Sequence, residues 1–457
     1  MRGLELSTLA KWTQGRLHGD NAIVSAVSTD SRHLLPASLF VALRGERFDG
    51  HDFVVQAMAN GAHALLVERP SSDCPLPQVI VDDSVLALGQ LAAGLRAERS
   101  STVLALTGSN GKTTVKTLLY GILETVAPTY ASAGNRNNEI GMPLALIDEP
   151  DGTRFAIYEM GAGQPGDIAH LATIARPQVA LVNNIGPAHL QGMGSLLGIA
   201  DTKAAIYDAL PDDGIAVINA DDAFAEWFAQ RVGARRQLRF GLDADADLHA
   251  TGIRSNAAGS QFRLHAAGVS ALIELPLPGR HNLRNALAAA AMALAVNTPI
   301  ESIAAGLSRA QAVSGRQMRY RLGNGVELID DSYNANPASV AAAIATLVQG
   351  GGEAWLVLGD MLELGPQAAE LHAEIGLQAR AAKLAGLFTV GNLSLHASHA
   401  FGDRGEHFDN QQALIDGLSG RLRAGVVCLV KGSRGSQMDR VVSALRAADV
   451  REDSHVA

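Results

Sequence analysis

The sequence predicts an α/β protein with three domains, and three observations lead to this prediction. Short apolar runs typical of buried strands alternate with helical segments along most of the chain, as in parallel, doubly wound sheets. The length of 457 residues suits about three domains. A proline-containing break at 70–77 and a Ser-Gly pair at 314–315 divide the series into N-terminal, central and C-terminal units.

Each unit contains its own predicted strands. The N-terminal unit contains SLFVAL at 38–43 and AHALLVE at 62–68. The central unit contains VLAL at 103–106, FAIYE at 155–159, VALVNN at 179–184 and IAVIN at 215–219. The C-terminal unit contains VELIDD at 326–331, AWLVLGD at 354–360, LFTVG at 387–391 and VVCLVKG at 426–432. We therefore expect a doubly wound parallel sheet in the central unit and a Rossmann-like α/β fold in the C-terminal unit.

Composition and charge argue against several function classes. The formal net charge of −9 includes no basic block, so we expect no nucleic acid partner. The two cysteines, Cys74 and Cys428, are far apart in sequence, which argues against a disulfide framework. The most apolar stretch, at 286–296, is too short to span a bilayer. We expect a cytoplasmic protein that does not insert into membranes.

The segment TVLALTGSNGKTTVKTLLYGIL, at 102–123, predicts a nucleotide phosphate site, because a strand, a glycine loop and a helix follow one another. Gly108 and Gly111 would let the backbone close around phosphate oxygens, at which the N–H groups of the next helix point. Lys112 would supply positive charge and Thr113 a hydroxyl for Mg²⁺. The strict P-loop pattern has a further glycine five residues before Gly111, where this chain has leucine. The predicted nucleotide-binding residues of the loop are Gly108, Ser109, Asn110, Gly111, Lys112, Thr113 and Thr114.

Three further clusters follow apolar strands, where ligands of a parallel sheet gather. Glu159 ends FAIYE and could bind Mg²⁺, although a glutamate at a strand end is often only solvated. His189 follows VALVNN through the turn NNIGPAHL, and an isolated histidine is usually a surface or core residue. Lys203 lies in ADTKAAIY on a predicted helix, and most lysines in such a position are only solvated. These alternatives stay open for each residue taken alone.

In order and spacing, the phosphate loop, YEMGA, NNIGPAHL and the Lys203 segment resemble the central domain of the Mur ligases, ATP-dependent amide-forming enzymes of peptidoglycan precursor synthesis. Similar segments extend over nearly the whole chain: PGRHNLRN at 278–285, SGRQ at 314–317 and LVKGSR at 429–434. Within the family, DDSYNANP at 330–337 and VLGDMLELG at 357–365 resemble the member that adds D-alanyl-D-alanine to UDP-N-acetylmuramoyl-tripeptide.

The resemblance implies a UDP-sugar-binding domain at 1–98, a central ATP-binding domain at 99–312 and a C-terminal ligase domain at 313–457, which would bind D-alanyl-D-alanine. In the first domain, STDSR at 28–32 and GERFDGHDF at 45–53 look like uridine-nucleotide segments. The implied substrate-binding residues there are Ser31, Arg32 and His51.

The loop GNRNNEIGMP, at 134–143, clusters hydrogen-bond donors and acceptors in a way that suits a muramoyl-peptide substrate. Its candidate residues are Asn137, Asn138 and Glu139. In the C-terminal domain, the residues implied to face the reacting ends are Asp331, Ser332, Tyr333, Asn334 and Asn336.

The family chemistry implies an acyl phosphate formed from the tripeptide carboxylate and ATP, with two Mg²⁺ ions. Thr113 and Glu159 would hold one ion, and His189 with a carbamylated Lys203 would hold the second. The implied catalytic residues are Lys112, His189, Lys203, Arg316 and Asp331.

Arg316 would reach ATP across a domain interface, so that catalysis would require domain closure. Asn282 and Asn285 are expected near the adenine, the alternative being a polar helix N-terminus capped by Asn282. We expect a monomer.

Two rival interpretations remain. Folylpolyglutamate synthetase shares the central chemistry but should lack a nucleotide-sugar domain, whereas here the phosphate loop begins after residue 100. A P-loop protein that hydrolyses ATP to change shape is compatible with the phosphate loop alone. The third residue of the tripeptide, lysine or diaminopimelate, stays open.

Overall fold

The structure is a computed structural model that describes residues 1–45 and 48–453. Glu46 and Arg47, which belong to the predicted segment GERFDGHDF, lie outside the described residues, as does 454–457.

The N-terminal unit is built on a five-stranded sheet with the order β2-β7-β6-β5-β4, in which only β2 runs antiparallel to its neighbour. A small antiparallel pair, β1 with β3, lies outside this sheet. The strands are β1 (Leu4–Glu5), β2 (Arg16–His18), β3 (Ile23–Val24), β4 (Ala26–Ser28), β5 (Ser38–Val41), β6 (Ala62–Val67) and β7 (Gln78–Ile80). The helices are α1 (Leu6–Trp12), α2 (Val54–Ala59) and α3 (Ser84–Ala97), with a 3-10 turn at Gly50–Phe53.

The central unit contains a nine-stranded sheet with the order β9-β10-β8-β11-β12-β13-β14-β15-β16. Its strands are β8 (Thr102–Thr107), β9 (Thr129–Ala131), β10 (Phe155–Glu159), β11 (Val179–Val182), β12 (Ile215–Asn219), β13 (Arg236–Gly241), β14 (Leu248–Asn256), β15 (Gly259–Ala266) and β16 (Val269–Leu275). Its helices are α4 (Lys112–Leu123), α5 (Gly141–Ile147), α6 (Asp167–Ala175), α7 (Leu190–Met193), α8 (Leu196–Asp208), α9 (Ala225–Val232), α10 (Arg280–Ala295) and α11 (Ile300–Ser308).

Strands β8 to β14 of this sheet are parallel, and apolar cores lie on both of its faces. The antiparallel extension β14-β15-β16 was not anticipated by the parallel-sheet prediction. In β15, buried residues alternate with more exposed ones, which is typical of a strand with one solvated face. A continuous apolar run, the signal used to find the parallel strands, is therefore absent there.

The C-terminal unit contains a six-stranded sheet with the order β17-β18-β22-β19-β20-β21, parallel except for β17. Its strands are β17 (Met318–Arg321), β18 (Glu327–Asp331), β19 (Glu353–Gly359), β20 (Gly386–Val390), β21 (Gly405–Phe408) and β22 (Val426–Lys431). Its helices are α12 (Pro337–Gln349), α13 (Ala368–Ala381), α14 (Leu395–Phe401), α15 (Gln411–Ser419) and α16 (Asp439–Asp453), with 3-10 turns at Gly365–Gln367 and Arg434–Ser436.

The predicted fold class is confirmed: three α/β units follow one another, and every strand predicted from an apolar run forms. No sheet of the described residues crosses 98/99 or 312/313, which supports these positions as proposed domain boundaries. The N-terminal and central units nevertheless share packing. Helix α3 contacts α5 and α6, and the buried Arg96 donates from Nε to the carbonyl oxygen of Ala175 at 2.9 Å.

Across the described part of the chain, none of the helices combines the length and hydrophobicity that a membrane crossing requires.

Helices α4 and α11 pack closely through two glycines. A Cβ atom at Gly306 would lie 2.5 Å from Cα of Ile122, whereas one at Gly121 would meet nothing nearer than 3.7 Å. We predict that Gly306→Ala lowers the free energy of unfolding by about 1–3 kcal/mol through overpacking. Gly121→Ala should be neutral or stabilising by up to about 1 kcal/mol, because alanine favours helix. Urea denaturation of the two variants measures the difference, and equal midpoints would contradict this account of the helix contact.

Candidate active site

A cavity of about 890 Å³ lies between the central and C-terminal units. The carboxyl ends of β8, β10, β11 and β12 border it on one side, and those of β18 and β22 on the other. The candidate residues that line it are Ser109, Asn110, Gly111, Lys112, Thr114, Asn137, Asn138, Glu139, Glu159, His189, Asn282, Asn285, Arg316, Asp331, Tyr333, Asn334 and Asn336. The sheet ends of two units therefore bring most of the predicted site residues together, as expected for an α/β fold.

The phosphate loop has the predicted strand–loop–helix geometry. Gly108 and Gly111 have φ angles of +152° and +78°, and Gly111 precedes the first residue of α4. A Cβ atom at Gly111 would lie 2.3 Å from Oδ1 of Asn285, so only glycine fits there. Lys112 begins α4, half-buried, and donates from Nζ to the carbonyl oxygen of Gly108 at 2.7 Å. Burial lowers the pKa of Lys112, against the opposing charge of Glu159.

The carboxylate of Glu159 lies at the bottom of the site and is 2% exposed. It accepts hydrogen bonds from the hydroxyl of Thr113 and from Nδ2 of Asn137, both at 2.8 Å, and Nζ of Lys116 lies 3.4 Å away. Burial by itself would raise the pKa of Glu159, but the charges of Lys116 and Lys112 and these hydrogen bonds hold it below its usual value. The group is therefore an anion in the closed site.

Thr113 and Glu159 supply oxygen ligands of the kind that Mg²⁺ prefers, so the residues fit the predicted ion. Thr113 itself does not line the cavity but contacts two residues that do, Glu159 and Arg316. Within the described residues, no group of three or more His, Cys, Asp or Glu side chains is arranged as a metal site. An ion here would therefore need further oxygens from a bound nucleotide or water.

Two side chains of the C-terminal unit reach the phosphate loop. Arg316 donates from Nη2 to the hydroxyl oxygen of Thr113 at 2.9 Å, and its guanidinium lies 4.2 Å from the ring centre of Tyr333. Asn336 donates from Nδ2 to Oδ1 of Asn110 at 2.7 Å. The two units are thus closed on each other at the phosphate loop.

Asp331 ends β18 and forms a buried ion pair of 2.7 Å with Lys431, which also donates to the carbonyl oxygen of Asn334. Burial raises the pKa of Asp331, and the charge of Lys431 opposes that shift. Ser332 differs from the prediction because it does not line the cavity. Its buried hydroxyl donates to Oδ1 of Asp330 at 2.5 Å and is thereby satisfied within its own turn.

His189 and Lys203, the predicted ligands of a second ion, differ in exposure. His189 lines the cavity, and its Nδ1 donates a hydrogen bond to the carboxylate of Glu363 from the C-terminal unit. Lys203 is 1% exposed on α8 and does not line the cavity. Burial, reinforced by the charge of Lys112, lowers the pKa of Lys203 far below its usual value. The solvated-lysine alternative is therefore wrong.

Asn282 and Asn285 are buried on the first two turns of α10. The alternative that Asn282 caps this helix is wrong, because the cap residue is Gly279 and Asn282 lies inside the first turn. Its Nδ2 donates to the carbonyl oxygen of Pro278 at 2.8 Å. Asn285 accepts from Nδ2 of Asn183 at 3.2 Å, which links α10 to the end of β11.

The N-terminal candidates do not line the cavity. Both ring nitrogens of His51 have protein partners: Nδ1 lies 2.6 Å from Oδ1 of Asp49, and Nε2 accepts from the backbone N–H of Glu68. These contacts argue against His51 as a direct ligand through its ring nitrogens.

The hydroxyl of Ser31, in the other predicted uridine segment, donates to Oε1 of Gln56 at 2.7 Å. Arg32 is exposed and paired with Asp30. The uridine site stays a prediction.

The residues of the site that the sequence did not indicate include Lys116, Asn183, His281, Lys431 and Glu363. Lys116 could have been found, since it lies three residues after Thr113 on the same helix face. His281 is half-buried in the cavity wall, and desolvation lowers its pKa to about 4. Glu363 carries no local signal, because its partner belongs to another unit.

Three domain models of one family match this chain: the Mur ligase family catalytic domain at 23–96, the Mur ligase middle domain at 106–293 and the Mur ligase glutamate ligase domain at 315–434. An Escherichia coli protein, UDP-N-acetylmuramoyl-tripeptide–D-alanyl-D-alanine ligase, is 44% identical over 98% of this chain and 99% of its own. The chain belongs to the Mur ligase family.

Solved structures lead to the same family. A crystal structure of MurF from Acinetobacter baumannii has a TM-score of 0.92 and 35% identity, covering 98% of this chain and 99% of its own. MurF ligase from Thermotoga maritima in complex with ADP has a TM-score of 0.83 and 29% identity, covering 94% of this chain and 99% of its own.

The buried pair Asp331–Lys431 allows a stability test. We predict that Lys431→Met lowers the free energy of unfolding at neutral pH by about 3–5 kcal/mol, because it leaves a buried carboxylate without its cation. Burial already holds the pKa of Asp331 above its ordinary 3.8. The deficit should therefore be small at low pH, where Asp331 is protonated in both states, and grow as pH rises through that raised pKa.

The double variant Asp331→Asn/Lys431→Met should recover most of the lost stability, and Lys383→Met serves as the control at an exposed lysine of the same unit. Urea denaturation across pH measures these effects. A deficit independent of pH would contradict the electrostatic explanation.

Proposed function

We propose that this chain is an ATP-dependent ligase that joins D-alanyl-D-alanine to UDP-N-acetylmuramoyl-tripeptide, with UDP-N-acetylmuramoyl-pentapeptide, ADP and phosphate as products. The observation that carries the proposal is a single cavity lined by both the phosphate loop and the segment Asp331–Asn336. The names of the full-length relatives support the substrates. The ADP complex of the Thermotoga maritima relative supports ATP as the phosphate donor.

A carboxylate does not condense with an amine in neutral water, because its oxygen is a poor leaving group. In the proposed reaction, the terminal carboxylate of the tripeptide attacks the γ-phosphate of ATP and forms an acyl phosphate. The amine of D-alanyl-D-alanine then displaces phosphate from the acyl carbon. Phosphoryl transfer depends on positioning and charge neutralisation, for which Lys112 and Arg316 are suitably placed.

Thr113 and Glu159 would hold one Mg²⁺ ion, and His189 with Lys203 as its carbamate would hold a second; the ions would supply positive charge to the phosphates. The burial of Lys203 favours carbamylation, because its lowered pKa increases the fraction of neutral amine. The neutral amine attacks CO₂, a new N–C bond forms and one proton is released. The resulting anion has the oxygen ligands that an ammonium lacks.

The roles of the other cavity residues are proposed from their positions in the cavity wall. Asn282 and Asn285 would contact the nucleotide, and Asn137, Asn138 and Glu139 would contact the muramoyl-peptide. Asp331, Tyr333, Asn334 and Asn336 would orient the acceptor. The closed contact between the two units would keep water from the acyl phosphate. A cytoplasmic location and a monomeric state remain part of the proposal.

An assay of ADP release tests the activity. We predict that turnover requires both a UDP-tripeptide and D-alanyl-D-alanine, and that mass spectrometry detects the pentapeptide product. Parallel assays with the lysine and the diaminopimelate tripeptides identify the third residue. Turnover without an acceptor amine would instead indicate an ATPase, and turnover only with glutamate would indicate a folylpolyglutamate synthetase-like ligase.

We predict that Lys203→Ala lowers kcat about 100-fold or more, because a second-ion ligand is lost. Acetate or formate should partly restore activity to this variant alone, since a small carboxylate can occupy the place of the carbamate. Lys11→Ala, at an exposed lysine, is the control and should keep full activity without any response to acetate. Near wild-type activity of Lys203→Ala would remove Lys203 from the metal site.

A further inference from the structure

The segment between β19 and the 3-10 turn Gly365–Gln367 contacts the central unit at His189. The carboxylate of Glu363, in this segment, accepts a hydrogen bond through Oε2 from Nδ1 of His189. One backbone hydrogen bond accompanies the pair, from the N–H of Gln191 to the carbonyl oxygen of Glu363 at 3.3 Å. A side-chain contact at His189 and a backbone contact at Gln191 thus join the two units at the start of α7.

Both residues of this contact have left-handed backbone conformations, with φ of +58° at His189 and +63° at Glu363. A residue other than glycine loses about 1–3 kcal/mol in such a sparsely populated region, so the surrounding structure must compensate. Because two such residues contact each other across the interface, we infer that the contact has a fixed geometry. A chance meeting of two flexible side chains would not require either conformation.

The segment that carries Glu363 is held firmly within the C-terminal unit. The backbone N–H of Met361 donates to Nε2 of the buried His372, and the N–H of Leu362 donates to the hydroxyl of Ser433, both at 2.9 Å. Ser433 in turn donates to the carbonyl oxygen of Ala335 at 3.1 Å. The position of Glu363 is therefore connected to the segment Asp331–Asn336 on the acceptor side of the cavity.

We propose that Glu363 is a positioning residue that orients the imidazole of His189 when the C-terminal unit closes. A carboxylate only accepts hydrogen bonds, so Nδ1 of His189 must carry the proton, and the lone pair of Nε2 is left free as a ligand. This inference rests on the proposed function for the ligand role of His189. If Glu363 has this role, the orientation of His189 depends on the position of the C-terminal unit, which is proposed to bind the acceptor.

The contact between His189 and Glu363 contributes little to stability. The side chains of His189 and Glu363 are 35% and 58% exposed, and exposed pairs typically contribute about 0–1 kcal/mol. A purely structural surface pair would therefore leave both turnover and the imidazole tautomer unchanged when Glu363 is replaced. A positioning residue would change both.

The variants Glu363→Ala and Glu363→Gln test the proposal, with Glu370→Gln as the control at an exposed glutamate of the same unit. We predict that Glu363→Ala lowers kcat about 10–100-fold, the usual effect of losing a partner that orients a metal ligand. The KM for the UDP-tripeptide should not change. Glu363→Gln keeps an acceptor oxygen and should retain more activity than Glu363→Ala. A kcat of Glu363→Ala equal to that of the control would overturn the proposal.

A second measurement does not depend on ligase activity. In protein labelled with ¹⁵N-histidine, the signal of His189, assigned by its loss in His189→Gln, should report the Nδ1–H tautomer in the wild type and in Glu370→Gln. Glu363→Ala should shift it toward the Nε2–H tautomer. An unchanged tautomer would contradict the positioning role even if the chain ligates D-alanyl-D-alanine. If the tautomer shifts in Glu363→Ala but the wild-type protein shows no ligase activity, the result would contradict the proposed function and not the positioning role.

Discussion

The site depends on one buried anion, the carboxylate of Glu159. A carboxylate that is 2% exposed is stable as an anion only with partners, and the central unit supplies them from a helix and a loop. Thr113 and Lys116 of α4 and Asn137 of the loop between β9 and α5 all contact it. Because the partner residues come from different segments, their attraction to one carboxylate fixes the start of α4 relative to β10. The phosphate loop directly precedes α4, so the same contacts also fix its position.

The C-terminal unit completes the site by contacting groups that the central unit has already fixed. Arg316 shares the hydroxyl of Thr113 with Glu159, and Asn336 contacts the loop at Asn110. The same Asn336 also caps α12, so the residue that meets the phosphate loop is anchored by its own helix. Short, directional contacts between rigid elements therefore align the segment Asp331–Asn336 with the phosphate loop.

Sequence patterns are most informative where the signal is local. The glycines of the phosphate loop have the backbone conformations that their positions suggested, and Glu159, His189 and Asp331 line one cavity of the structure. Sequence patterns say less where a polar side chain has an alternative partner nearby. The Ser332 hydroxyl bonds within its turn, and this choice depends on a local geometry that sequence spacing does not resolve.

By itself, the sequence determined the three α/β units, the strands and the phosphate loop, because apolar periodicity and glycine placement act over a few residues. Tertiary structure alone decided which distant side chains meet. Arg316 and Thr113 are 203 residues apart in sequence, and Glu363 meets His189 from another unit. It also decided that Lys203 is buried, since a lysine on a helix looks the same in sequence whether its face is covered or solvated. Burial and long-range pairing depend on how the units pack, and no short segment encodes that packing.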